Sequence, residues 1–369
     1  MNNPTKPIAR HAFANQRRNF LKTTGAGVVA FSGLTGVRAA SAQATVPAPH
    51  ERADNFYKSA RVVIEKVRFK NQYNMQVVGN LVWPKDLKAV AKLPAIIVGH
   101  PMGAVKEQSS MLYAQKLAEQ GFVTLAIDLP YWGESEGLPR NLVAPETYVE
   151  AFSAAVDYLG IRNNIDRHRI GVLGICGSGG FAIAAAKLDT RLKAIATVSM
   201  YDMGAVTRSG LKHSQSLEQR KALLEKAVDQ RNSEFANSNG IFLNYLPAQL
   251  GPDVDPITRE FWEFYRTPRG IHIPEGRTLE LTQNRMLTSE VRFMNFYPFN
   301  DIETIAPRPL MFITGDQAHS REFSEDAYRL AAGQKELVWV PGAGHVDLYD
   351  RANLIPWSRL NSFFSTHLA

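Results

Sequence analysis

One cysteine, Cys176, is all that the 369-residue chain carries, which excludes an intrachain disulfide, a CxxC redox pair and a Cys-rich zinc site. Histidines do not cluster at zinc-ligand spacing either, so neither a metal nor an organic cofactor is expected. Long apolar runs are missing too. The stretch from Gly25 to Val37 is mildly apolar but too short and too weak to hold a spanning helix in a bilayer, so no membrane anchor is expected. The excess of positive charge is local: six of the 42 basic residues (Lys6, Arg10, Arg17, Arg18, Lys22 and Arg38) fall within the first 42 positions, which hold no acidic residue. The remainder carries 36 basic against 35 acidic residues, leaving no electrostatic case for nucleic acid or a membrane surface as partner. At 45% hydrophobic and 21% charged residues the composition also excludes a disordered or fibrous chain. The length suits one large α/β domain with an insertion, or two domains.

The basic start has an order to it. Gln16-Arg17-Arg18-Asn19-Phe20-Leu21-Lys22 looks like a twin-arginine motif, followed by the apolar stretch and by small-residue cleavage options at Ala40-Ser41-Ala42 or Ala42-Gln43-Ala44. Residues 1–44 are therefore read as a Tat signal peptide. The expectation is export by the twin-arginine translocon to the periplasm, where a structural cysteine would normally be paired.

From about residue 60 the chain alternates strand and helix signals. Residues 61–70 and 75–83 alternate apolar and polar side chains around Asn71-Gln72-Tyr73-Asn74, which predicts an antiparallel hairpin at a sheet edge. Short buried strands are predicted at 94–100, 122–128, from Arg169 to Gly174, and at 194–200, 309–314 and 337–340. Helices are predicted over 109–120, 145–160, the Ala-rich segment after Gly180, and 353–367. This rhythm predicts a mostly parallel sheet flanked by helices. It breaks between 202 and 305, where a charged helix over 217–236 precedes a segment rich in Phe, Tyr and Trp. That insertion reads as a helical lid over the C-terminal edge of the sheet, its aromatics lining an apolar pocket or gluing the lid to the core. The expected layout is thus a core over 45–201, a lid over 202–305 and a second part of the core over 306–369.

Arg169 to Ala186 organises the rest. Its apolar first half predicts a buried strand and its Ala-rich second half a helix, with Gly174, Gly177, Gly179 and Gly180 permitting a sharp turn between them. A residue at the apex of such a turn projects above the sheet. Counting two from the glycine that closes the strand selects Cys176; sliding the frame by two selects Ser178. Gly177-x-Gly179-x-x-Ala182 also matches a dinucleotide fingerprint, but at least four strands come first and the expected acidic residue is late, at Asp202. A thiol at a helix N-terminus is readily ionised, and both thiol and hydroxyl need a base. His345 in Gly342-Ala343-Gly344-His345, just past the last strand, is the candidate base. Asp316 in the loop after the preceding strand is the candidate acid that orients it, with Asp202 and the more remote Glu322 as substitutes. The N–H groups of Gly177 and of Met102, in the turn His100-Pro101-Met102-Gly103, are the candidate oxyanion donors, worth about 3 kcal/mol each. His100 itself is expected to brace that loop.

Taken in order, Gly99-His100-Pro101-Met102-Gly103, Asp128 with Gly133-Glu134-Ser135, Gly174-Ile175-Cys176-Gly177-Ser178-Gly179-Gly180 and Gly342-Ala343-Gly344-His345-Val346-Asp347 resemble the α/β-hydrolase superfamily. Within it the chain is similar to dienelactone-hydrolase-like bacterial proteins related to fungal polyketide thiohydrolases and transferases. The resemblance spans roughly residues 60–365 and implies an eight-stranded α/β-hydrolase fold. It also implies a triad in the order Cys176, Asp316, His345, because cysteine nucleophiles occur in that branch. The expected activity is hydrolysis of an ester, lactone or thioester of a small apolar acyl group through a covalent acyl-enzyme. A serine esterase or peptidase using Ser178, an acyltransferase, and a binding protein without turnover are the alternatives.

Overall fold

The computed structural model describes residues 53–85, 92–237 and 240–369. The signal-peptide segment expected over 1–44 lies outside them. Eight strands form one sheet: β1 (Val62–Lys70), β2 (Gln76–Pro84), β3 (Leu93–Gly99), β4 (Val123–Ile127), β5 (Ile165–Ile175), β6 (Leu192–Val198), β7 (Leu310–Gly315) and β8 (Lys335–Val340). Their order is β1-β2-β4-β3-β5-β6-β7-β8. The hairpin β1–β2 and the β2–β4 pair are antiparallel; every other pair is parallel. This is the α/β-hydrolase arrangement, and it follows from the side chains. β3, β4 and β7 have buried apolar stretches because helices cover both faces, whereas most of β1 is exposed at the edge.

Among the described residues, ten helices accompany the sheet: α1 (Ser110–Ala118), α2 (Pro145–Gly160), α3 (Gly177–Leu188), α4 (Met203–Ser209), α5 (Leu217–Asn237), α6 (Pro256–Tyr265), α7 (Leu287–Glu290), α8 (Arg321–Leu330), α9 (Asp347–Asp350) and α10 (Trp357–His367). Two boundaries differ from the sequence expectation. β5 starts at Ile165 rather than Arg169, since Leu93 of β3 pairs with Ile165 across a register shift. The last helix starts at Trp357 rather than 353, because Pro356 lacks the N–H that an interior position would need. Between β6 and β7 the described residues form helices, 3₁₀ turns and one isolated bridge, Phe242 to Met286. Within this segment α6 begins at Pro256, with Asp255 accepting hydrogen bonds from the N–H groups of Ile257 and Thr258.

The parallel strands all end at one edge of the sheet. His100 follows β3, Cys176 follows β5, Asp202 lies just past β6, Asp316 to Ser320 follow β7 and His345 lies beyond β8. Crevices outside the carboxyl ends of strands are where such folds bind ligands.

Candidate active site

Cys176 sits between β5 and α3 with φ 54° and ψ −122°, a left-handed conformation that a residue with a side chain adopts only when its surroundings force it. Here they do. The Cys176 N–H donates to the Val198 carbonyl (3.0 Å), while its own carbonyl accepts from the N–H groups of Gly179 and Tyr201 (2.9 and 3.0 Å). Gly174 makes the turn possible: a Cβ there would lie 2.2 Å from the Ser178 carbonyl oxygen. Gly177 serves a different purpose, since a Cβ at that position would lie 2.7 Å from the Met102 Cβ and 3.3 Å from the Met102 nitrogen. The missing side chain lets the loop after β3 close against the start of α3, and hydrogen bonding from the N–H groups of Gly177 and Met102 lowers the Cys176 thiol pKa.

Ser178, the alternative from the sequence, faces the other way. It is fully buried, and its hydroxyl donates to the His100 carbonyl at 2.5 Å, tying α3 to the end of β3. His100 braces the same loop: its Nδ1 lies 2.8 Å from the Pro101 carbonyl and its Nε2 accepts from the Leu129 N–H at 3.1 Å. Lys106 anchors the far end of the loop. The side chain is 1% exposed, and its ammonium lies 2.8 Å from Asp128, 2.9 Å from Glu107 and 2.5 Å from Glu134. Burial opposes its charge, but the carboxylates around it override that and raise its pKa.

His345 is fully buried beyond β8. Its Nδ1 lies 2.5 Å from the Ser320 hydroxyl and its Nε2 lies 2.9 Å from the Tyr349 hydroxyl. The Ser199 hydroxyl donates to the His345 carbonyl (2.9 Å), and Glu260 of α6 accepts from the Val346 N–H (2.7 Å). Glu260 also reaches Nδ1 of His319 at 3.1 Å, and the His319 ring stands 4.7 Å from the His345 ring. Burial, and then the neighbouring His319, push the His345 pKa well below its usual range. The imidazole is therefore neutral at pH 7.

The expectation that Asp316 partners His345 is corrected. Asp316 Oδ1 accepts from the Gly342 N–H (2.8 Å) and from the Gln317 side chain (3.1 Å), so it fastens the glycine loop from outside. β7 runs on to Gly315, and the turn after it delivers Ser320, four residues past Asp316, to the imidazole. The substitutes are also engaged elsewhere. Asp202 caps α4 by accepting from the Ala205 N–H, with burial raising its pKa to about 6, and Glu322 accepts from the Lys212 N–H. Asp350, close in sequence to His345, is held by Arg269 in a two-pronged ion pair at 2.7 to 3.2 Å.

In front of Cys176 lies a cavity of about 230 Å³. Met102, Met203, Val206 and Leu246 give it aliphatic and thioether walls; Tyr201, Tyr245, Phe261 and Tyr265 add aromatic ones. Of the aromatics in the insertion, Tyr245, Phe261 and Tyr265 line this cavity while Phe264 and Phe293 are buried in the core, so both expected roles occur. Arg285 also faces the cavity, paired with Glu290 at 2.6 Å and with its guanidinium 4.3 Å from the centre of the Tyr245 ring. Burial raises the Cys176 pKa. Hydrogen bonding from Tyr349, the N–H groups of Gly177 and Met102, and the Arg285 charge all pull it back. Three of the residues around the site, Ser320, Tyr349 and Arg285, have no role in the sequence reading. Of these, only Tyr349 carries a signal in the sequence, lying four residues past His345.

The fold finds its counterparts among known proteins. Residues 79–224 match the dienelactone hydrolase family model. Protein PA2218 of Pseudomonas aeruginosa, itself uncharacterised, is 44% identical over 313 residues, 85% of this chain and 83% of that protein. The chain belongs to the dienelactone hydrolase family. The crystal structure of PA2218 superposes with a TM-score of 0.81, covering 86% of this chain and 98% of that one. The uncharacterised Escherichia coli family member YcjY is 35% identical over 77% of this chain and 92% of its own length. Polyketide transferase claH of Penicillium crustosum is 23% identical over 77% of this chain and 91% of its own. Est1E of Butyrivibrio proteoclasticus, solved with ferulic acid bound, shares the fold at 17% identity (TM-score 0.53, 82% of this chain and 99% of that one).

Proposed function

We propose that this family member is an acyl-transferring hydrolase that cleaves a carboxylic ester, lactone or thioester through an acyl-enzyme on Cys176. The observation that carries the reading is the strained elbow: the only thiol of the chain lines an apolar cavity and takes hydrogen bonding from two backbone N–H groups. Those donors would hold the oxyanion of the tetrahedral intermediate. His345 is the general base. Because burial disfavours both a thiolate and an imidazolium, the resting pair is neutral, and the proton leaves sulfur as the sulfur attacks rather than beforehand. Water then releases the acyl group; an alcohol or amine in its place would make the enzyme a transferase.

The cavity is smaller than the roughly 300–1,000 Å³ of sites for drug-sized ligands, which favours a short or medium apolar acyl group. A rapid-mixing experiment with p-nitrophenyl esters and acyl thioesters of graded chain length tests this. A burst of leaving group stoichiometric with enzyme is expected for acyl groups that fit, and the absence of a burst and of turnover across the whole panel rejects the reading.

The orienting role expected of Asp316 passes to Ser320. A neutral hydrogen bond contributes about 1.4 kcal/mol, a tenfold effect. Ser320→Ala should therefore lower kcat about tenfold and Asp316→Asn less than about threefold, when both are assayed against the same ester. The reverse ranking would return the role to the carboxylate.

His345 also makes stability depend on pH. In the unfolded chain the imidazole takes up its proton near pH 6.5, whereas the folded protein resists until much lower. Between those values the unfolded state binds more protons, so folding stability falls as pH drops below 6.5. Urea unfolding of wild type and His345→Gln between pH 7.5 and 5.5 should show the variant losing less stability as the pH falls; parallel curves would contradict it.

A further inference from the structure

The nucleophile and the base are bridged by a third side chain. The Tyr349 hydroxyl lies 2.9 Å from His345 Nε2, and Tyr349 lines the same cavity as Cys176, where hydrogen bonding from it pulls the thiol pKa down. The geometry points to Tyr349 as a proton relay: a catalytic residue through which the Cys176 proton reaches His345 and later returns to the leaving group. This inference rests on the acyl-enzyme reading above.

Tyr349 is built to stay where it is. It is fully buried, with its ring edge-on to those of Phe264 (5.3 Å) and His345 (5.3 Å). The backbone around it is pinned from three sides. The Ser109 hydroxyl donates to the Tyr349 carbonyl (3.0 Å), the Tyr113 hydroxyl donates to the Leu348 carbonyl (2.6 Å), and the Asp54 N–H donates to the Asp350 carbonyl (2.9 Å). Arg269, gripping Asp350 and the Val346 carbonyl, closes the other flank. A phenol held this firmly against an imidazole nitrogen, in the cavity that Cys176 lines, is placed to pass a proton between them.

The step balances as follows. In the tautomer the relay needs, His345 Nδ1–H donates to the Ser320 oxygen, and Nε2 accepts from the Tyr349 O–H. As sulfur attacks the acyl carbon, an S–C bond forms and the carbonyl π electrons move onto the oxygen held by the Met102 and Gly177 N–H groups. The thiol proton passes to the Tyr349 oxygen, and the Tyr349 proton passes to Nε2, leaving an imidazolium. Collapse of the intermediate restores the carbonyl and breaks the bond to the leaving group, which takes a proton from the Tyr349 hydroxyl while His345 gives one back. Tyr349 is a phenol before and after. Hydrolysis repeats the sequence with water in place of the thiol.

Tyr349→Phe keeps the ring and removes only the hydroxyl. A relay predicts that the acylation rate, read as the burst of p-nitrophenol, falls about 10²- to 10³-fold with little change in KM. A hydroxyl serving only to fill space predicts a rate within about threefold of wild type, and a hydroxyl that merely separates base from nucleophile predicts a faster variant; either result overturns the relay. A proton inventory on the wild-type enzyme in H₂O/D₂O mixtures gives a readout that does not depend on the variant folding. Two protons in flight bow the plot downward, and a straight line contradicts the relay. Mass analysis of wild type after acylation keeps the two questions apart: an acyl group on Cys176 with a straight-line inventory sinks only the relay, whereas an enzyme that forms no adduct sinks the reading beneath it.

Discussion

Cys176→Ala is expected to lower kcat by about 10³-fold or more while leaving the protein folded. The side chain is small, and the turn around it is held by backbone hydrogen bonds and by the missing side chains of Gly174 and Gly177, none of which the substitution touches. Alanine does retain the strained φ, so any loss of stability is shared with wild type. The residual rate would come from the oxyanion donors and the cavity alone. Cys176→Ser is the sharper comparison. A hydroxyl is far harder to deprotonate than a thiol, and a neutral His345 with a depressed pKa is a weak base, so serine should recover little of the loss. Steady-state kinetics of the three proteins on one p-nitrophenyl ester decide the matter, and turnover by the alanine variant near the wild-type rate would remove the thiol from the chemistry.

The second large effect is on folding. Lys106→Met should cost about 3–5 kcal/mol, because it strips the cation from Asp128, which is fully buried. The backbone N–H groups of residues 106 and 134 would still donate to Asp128 (2.8 and 2.9 Å), but two neutral hydrogen bonds do not replace an ammonium in the interior. Urea unfolding measures the loss directly, and a change below about 1 kcal/mol would mean that water or a neighbouring cation reaches the carboxylate. Activity should suffer as well, since this ion cluster fixes the loop that presents Met102.

What the sequence made legible divides along physical lines. Strands β1 to β8 and helices α2 and α5 could be placed within a few residues because their patterns are local: buried apolar runs, a Pro at the first helical position of α2, and turn residues between β1 and β2. The elbow was legible for the same reason, since the glycines that permit it are neighbours in sequence. The surroundings of His345 were not. Which loop side chain reaches Nδ1 depends on how far β7 extends before it turns, and one β8 pairing, Gly315 with Val340, carries the strand past the point where Asp316 could face the ring. Tyr349, Arg285 and Glu260 reach the site from a short helix and from the insertion, through contacts that no spacing rule connects to Cys176. Helix α8 has no counterpart in the sequence expectations, although its buried Phe323 and Ala327 recur at helical spacing.

The most direct test of the account is to quench the enzyme during the burst with an activated ester and find where the acyl group sits. The account predicts one added acyl mass, carried by the peptide that contains Cys176 and absent from the Cys176→Ala variant. An adduct on another residue, Ser178 included, or turnover with no adduct at all, would contradict it.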